Sequence, residues 1–222
     1  MIGDFAHVCN RGLEKRQIFD DHSDYNRFIE NLFLLNNKKG KIRTVKNIFH
    51  SDKIPERDKL VEILKWSLLP NHYHLLLYEV TEGGILEFTK RLGNAFTKYF
   101  NIKNTGRSGY LFQNRAKIIP IIEDSQFSYI PYYIDANPLD LIFKDRKNIQ
   151  VKDQNKATDF LRAYKWSSYK DYFGSGGTDM IINKELFYEL FDLNPRTYEK
   201  ELLNLLTCEV DKLDLSGGKV LR

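Results

Sequence analysis

The order of elements in the sequence predicts an α+β fold, a ferredoxin-like or RRM-like antiparallel sheet with helices on one face, followed by a C-terminal helical appendage. Three observations lead there. Stretches rich in strand formers (Phe5–Arg11, Leu60–Leu69, His72–Val80) alternate with stretches whose apolar residues recur every three or four positions. The breaks between them fall at Gly, Pro and Asn. The composition, 42% hydrophobic and 29% charged over 222 residues, suits a chain that builds a core and not a disordered one.

Phe5 to Arg11 reads as a first strand, ended by Gly12. Ser23 or Asp24 can cap a helix carrying Phe28, Ile29, Leu32, Phe33 and Leu35 at helical spacing. Asn36 to Gly40 stops it, and the polar stretch Lys41–Lys59 reads as an insertion. Leu60–Leu69, strand-like with a start that also fits a helix, and His72–Val80 are two further strands separated by Pro70-Asn71. Gly83-Gly84 leads into a long amphipathic helix, roughly Ile85 to Asn101, and Gly106–Gly109 is a turn. Tyr110–Ile122 reads as a hairpin-like pair of short strands. Asp124 caps a helix running toward Asn137, where Pro138 ends it. Residues 1–140 thus read as the main domain and 141–222 as a linker plus a helical extension that packs partly on it. Within the extension, Asp140–Thr158 is the linker, and Asp159–Tyr172 and Lys184–Leu206 are its helices.

No run approaches the ~18 apolar residues of a membrane span. The opening MIGDFAHVCNRG lacks the pattern of a secretory signal. Cys9 and Cys208 form no disulfide or metal framework, so a reducing, cytoplasmic setting is expected. The formal net charge of +4 permits nucleic-acid binding without demanding it. The charge is uneven, however. From Lys90 to Lys117 there are seven basic residues, among them Arg91, Lys98, Arg107 and Arg115, and no acidic one. Phe96, Tyr99, Phe100, Tyr110 and Phe112 are interleaved with them. Cations that follow a phosphate backbone and rings that accept bases are what a single-strand groove needs. A helix with one solvated basic face would read the same way.

The residues that can carry chemistry begin at His72 and His74. On a strand, positions i and i+2 share a face, so the two imidazoles project together and Tyr73 projects opposite them. Such a pair can ligate one divalent cation, although a lone His-x-His also describes two half-buried sheet histidines. Tyr129, Tyr133 and Asn137 recur at i, i+4, i+8 and share a helix face. The Tyr133 phenol can attack phosphorus once polarised, and the Asn137 carbonyl oxygen is a possible third ligand. Tyr132 sits about 100° around the helix from that face. A plain core-facing tyrosine stripe fits the spacing as well.

Five ordered segments, spanning about Phe5 to Gly174, carry a family likeness. WSLLPNHYHLLL, around His72-Tyr73-His74, matches the histidine–hydrophobic–histidine strand of the HUH single-tyrosine transposases. PYYIDANPLDLI, around Tyr133, Ile134, Asn137 and Pro138, resembles that family's tyrosine helix. HVCNRGLEKRQIFDD, GYLFQNRAKIIPI and KWSSYKDYFG resemble further segments of its REP-associated branch. The resemblance implies metal-dependent nicking and strand transfer of single-stranded DNA ends, often with a hairpin, through a 5′-phosphotyrosine on Tyr133. It implies Mg2+ or Mn2+ held by His72, His74 and Asn137. Arg11, Arg91, Lys98, Arg107, Arg115 and Lys117 would face DNA; the long extension favours a monomer, with a dimer that swaps the tyrosine helix as the alternative. A domesticated, non-catalytic module that binds DNA or RNA hairpins is the alternative.

The sequence departs from the family pattern at Phe112, Asn114 and Leu69, away from the chemistry. Pro131 lies two residues before Tyr133, where it removes a helix hydrogen bond, so it either re-aims Tyr133 or marks a later helix start. His7 reads as a structural or DNA-facing residue, His22 and His50 as surface residues, and Trp66 and Trp166 as core. Glu79 falls on the strand face opposite His72 and His74.

Overall fold

The computed structural model describes residues 1–42, 55–143, 153–174 and 176–207. His50, Cys208 and most of the Lys41–Lys59 insertion lie outside them. The elements are β1 (Phe5–Arg11), α1 (His22–Leu34), β2 (Val61–Leu69), β3 (His72–Glu79), α2 (Gly84–Lys103), β4 (Lys117–Ile121) and α3 (Asp124–Ala136), then α4 (Gln154–Ala163), α5 (Tyr169–Phe173), α6 (Lys184–Leu190) and α7 (Tyr198–Thr207). The four strands form one antiparallel sheet in the order β2-β3-β1-β4, so the α+β class and the ferredoxin-like strand order are observed.

The alternation of β1 and β3 sorts the core into two faces. Ala6, Val8, Tyr73, Leu75 and Leu77 face α1 and α2 and pack with Phe28, Leu32, Phe88, Leu92 and Phe96. Leu76 faces the other way, against Ile130 and Ile134 of α3 and residues of α4 to α7 such as Leu161, Phe187 and Tyr198. The sheet therefore carries helices on both faces rather than one. The second cover is α3 together with the C-terminal helices, whose aromatic residues need an apolar surface to bury.

Several local expectations shift. The cap of α1 is Asp21, in a reciprocal box with Asp24. The cap of α3 is Glu123, boxed with Gln126. α3 begins at Asp124 and continues through Pro131, so the later start is not observed. Tyr110–Ile122 forms one strand, β4, and not two. Its first part is held to the end of β1 by a single bridge between Gly12 and Phe112 and by scattered backbone bonds, including Gln113 N–H to the Arg11 carbonyl. The Asp159–Tyr172 helix is split into α4 and α5, because the backbone around Trp166 instead pairs with the outer edge of β2. Leu68 N–H donates to the Trp166 carbonyl and Ser168 N–H to that of Trp66. Together with the bridge of Ile182 to Ile63, that pairing covers the outer edge of β2. The Lys184–Leu206 helix is split into α6 and α7 near Asp192, whose φ is +48°, and Pro195. The expected linker is shorter than Asp140–Thr158: a 3-10 turn occupies Asn137–Leu141 and α4 starts at Gln154.

Gly12 and Gly84 are each fixed by close approach. A Cβ on Gly12 would lie 2.3 Å from the Arg16 carbonyl oxygen, and one on Gly84 would lie 2.2 Å from that of Leu60. Among the described residues no helix is long and apolar enough to cross a membrane.

Candidate active site

Sheet pairing gathers the polar residues of the second face. Cys9 of β1 lies opposite His74, and Arg11 lies opposite His72. His7, Cys9 and Arg11 share one face of β1, as His72 and His74 share one face of β3. His7 Nε2 and His74 Nδ1 are hydrogen-bonded at 2.8 Å, with the two rings stacked at 5.0 Å. His7 is buried, and burial pushes its imidazole down to about 4, so it stays neutral near pH 7. His74 is likewise buried, while His72 is half-buried. The rings of His72 and His74 meet edge to face at 5.1 Å.

α3 lays its tyrosine face over this pair. The Tyr133 ring stands edge-on to His74 at 5.5 Å and to His7 at 5.7 Å, with Tyr129 next along the helix at 5.9 Å. Tyr133 is half-buried. Tyr132 turns away: its hydroxyl donates to Glu201 at 2.7 Å and its ring stacks on Tyr198. Burial, with the Glu201 carboxylate beside it, raises the Tyr132 phenol far above the ordinary tyrosine range. Asn137 caps α3 and is buried, and its Nδ2 donates to the Tyr133 carbonyl at 2.7 Å. Oδ1 is then the Asn137 group suited to meet a cation.

The donors suit a divalent cation. The Asn71 Oδ1 can only accept, so at 2.6 Å it fixes the proton of His72 on Nδ1 and leaves Nε2 in the lone-pair form a metal ligand requires. Among the described residues, His7, Cys9 and His74 form a compact group, with ligand atoms all within 4.8 Å of one another. This group shares only His74 with the set His72, His74 and Asn137. Burial raises the Cys9 thiol, partly offset by Lys117, which disfavours the thiolate that binds metals. His7 and Cys9 were missed in the sequence reading. Their signal was present: His-x-Cys on β1 has the same two-residue spacing as His-x-His on β3.

The basic residues divide. Arg11 and Lys117 are exposed beside the histidine face, Lys117 opposite Cys9 across β1 and β4. Lys98 is exposed on α2. Arg91 is committed to Glu87 and the Asn37 carbonyl, both at 2.7 Å. Arg107 clamps its own loop through Asn101 and the Tyr110 carbonyl. Arg115 lines a groove of about 730 Å³ between α2 and residues 110–118. Asn10, Lys90, Asn94, Gln113 and Asn114 also line it, and no acidic residue does. Tyr110, which lines it too, is 84% exposed. Glu79 serves structure: its carboxylate accepts from Ile85 N–H at the start of α2 and pairs with the N-terminal amine. Trp66 is core, whereas Trp166 is half-buried and stacked on Tyr25. His22 is exposed, as expected.

No family model matches the chain, and no curated protein matches it. A solved structure described as a REP-associated tyrosine transposase bound to a REP hairpin is similar over 77% of this chain and 78% of that one, at 15% identity and a TM-score of 0.42.

Proposed function

We propose that this protein nicks single-stranded DNA and transfers the strand through a 5′-phosphotyrosine on Tyr133, in a metal-dependent reaction. The observation that carries the reading is the edge-on seat of Tyr133 against His74 and His7, which joins a phenol to an imidazole cluster across a helix–sheet boundary. His72, His74 and the Asn137 carbonyl oxygen would hold Mg2+ or Mn2+, with phosphate oxygens completing the shell; an imidazole-rich set suits Mn2+ better. When bound, such a cation supplies charge neutralisation at the phosphate oxygens.

The chain's own groups do the rest. Tyr133 Oη forms a bond to phosphorus, the bond from phosphorus to the 3′ oxygen breaks, and the phenol proton passes to solvent while the leaving oxygen takes one up as a 3′-hydroxyl. The phosphodiester energy stays in the tyrosine link, so attack by a 3′-hydroxyl reverses the step. In this reading the neutral His7 accepts from His74 Nδ1–H, which would leave the His74 Nε2 lone pair available to hold a cation. The groove beside α2 offers amides to base edges, Tyr110 as a stacking surface and Arg115 and Lys90 to phosphates. Residues 1–140 form the catalytic unit in this reading.

A covalent-trapping assay tests it. The protein is mixed with labelled single-stranded hairpin DNA and Mn2+ or Mg2+, then run on a denaturing gel. A metal-dependent shifted band that is absent in Tyr133→Phe and His72→Ala is expected. Binding without any band across many hairpins would instead mark a non-catalytic hairpin-binding module.

A further inference from the structure

Two residues beyond Tyr133, on the other side of α3, Asp135 is tied into the interior. Its Oδ2 accepts from Lys65 Nζ at 2.7 Å and from the Tyr198 hydroxyl at 2.9 Å. Lys65 and Tyr198 are 0% exposed and Asp135 is 1% exposed. The ammonium also sits over three rings, Tyr172 at 3.7 Å, Phe187 at 4.4 Å and Tyr198 at 4.6 Å. Those rings come from α5, α6 and α7, so the three C-terminal helices build a cage around one sheet lysine. A shift of register in β2 between Ile63 and Lys65 is what turns Lys65, beside Leu64, onto this face.

A buried ion pair adds little stability over apolar residues of the same size, because desolvating both charges costs about what their attraction returns. What it adds is direction. An apolar contact tolerates sliding and rotation, whereas a carboxylate held by two donors does not. Successive helix residues are about 100° apart, so Asp135 and Tyr133 project about 200° apart. Holding one therefore sets where the other points. α7 grips α3 a second time, through Tyr132 and Glu201. Pro131 makes such a grip useful, since it deletes a backbone hydrogen bond one turn before Asp135.

We propose that Lys65, Asp135 and Tyr198 form a buried latch that sets the rotation of α3 and so aims Tyr133 at the His74–His7 pair. They are positioning residues, and nothing in the latch touches substrate. The proposal rests on Tyr133 being the nucleophile.

The test compares Lys65→Met, Asp135→Leu, the double variant and Tyr198→Phe in the full-length chain. Three quantities are read: the melting temperature, the trapping rate at saturating hairpin DNA with Mn2+, and the 19F resonance of 3-fluorotyrosine placed at position 133. Each single change at the ion pair strands a buried charge and lowers the melting temperature. The double variant is expected to recover that temperature, yet to trap DNA roughly tenfold to a hundredfold more slowly at unchanged half-saturation. Its 19F line should be shifted or broadened. Tyr198→Phe keeps the ring cage, removes one hydrogen bond, and should give a smaller change of the same kind. A double variant with wild-type rate and wild-type 19F line overturns the latch. If the double variant does not fold, an unmoved 19F line in Tyr198→Phe overturns it instead. Absence of trapping by the unaltered protein defeats the nucleophile reading, and the 19F comparison still decides the latch.

Discussion

The two faces of the sheet are built by different rules. Toward α1 and α2 the core is almost wholly apolar, with rings such as Phe19, Phe28, Phe96 and Phe112 in mutual contact. The buried polar groups there cap helices or tie loops to the sheet: Asp24 pairs with Lys103 and Tyr99, and Asn36 with the backbone of β2. Toward α3 and the C-terminal helices the sheet buries His7, His74, Lys65 and Ser67, and α3 and its C-cap add Asp135 and Asn137. Burying polar groups costs free energy unless each finds a partner. One face is thus made to fold, and the other spends part of that stability on holding polar groups at set positions.

The largest expected effect that separates the faces is on chemistry. Tyr133→Phe should remove the covalent product entirely while leaving the melting temperature and hairpin binding near wild type. A variant that still cross-links would move the nucleophile elsewhere. On the other face, Leu75→Ala empties space in the packed core and should cost about 2–5 kcal/mol, read as a shift in the denaturant midpoint. Its trapping rate, measured well below the melting temperature, should stay close to normal. Equal losses of activity and stability would show that the faces are not separable.

Next in size is the groove. Tyr110→Ala should weaken single-strand binding by about 1–3 kcal/mol, if bases stack there. Arg115→Ala should reduce the salt slope of binding by about one. Arg91→Ala and Arg107→Ala should change stability and leave that slope alone, because both side chains are already committed within the fold. Salt-dependent titrations of the four variants distinguish these outcomes.

The smallest effect concerns the cap of α1. Lys103, with Ser23, holds the Asp21 carboxyl below the ordinary carboxylate range. A carboxyl depressed on folding stabilises fully above its unfolded pKa, and that contribution fades as pH falls from there through its lower folded pKa. Asp21→Asn should therefore lower the melting temperature slightly at pH 7, by an amount that shrinks only once the pH is taken below the ordinary carboxylate range. Because Asp21 and Lys103 lie near the surface, added salt should shrink the difference.

β1 to β3, α2 and the chemistry-bearing spacings were legible because each rests on local periodicity. The pairs that failed to show were distant ones. Nothing near His7 signals His74, 67 positions away, and nothing near Lys65 signals Asp135, 70 away. The hairpin expected at Tyr110–Ile122 and the single helix at Asp159–Tyr172 were misread for the same cause. Residues of strand-like or helix-like pattern were recruited by a partner, the end of β1 in one case and the edge of β2 in the other.

By itself the sequence determined which residues share a face: His72 with His74 by the two-residue period of a strand, and Tyr133 with Tyr129 and Asn137 by the turn of a helix. Those are properties of a few consecutive backbone angles. Only the tertiary structure decided that His7 and Cys9 join the histidines, that Tyr132 turns inward while Tyr133 meets them, and which cations are already spent inside the fold. Each of these depends on strand register and helix docking between residues far apart in the chain, which no local pattern encodes.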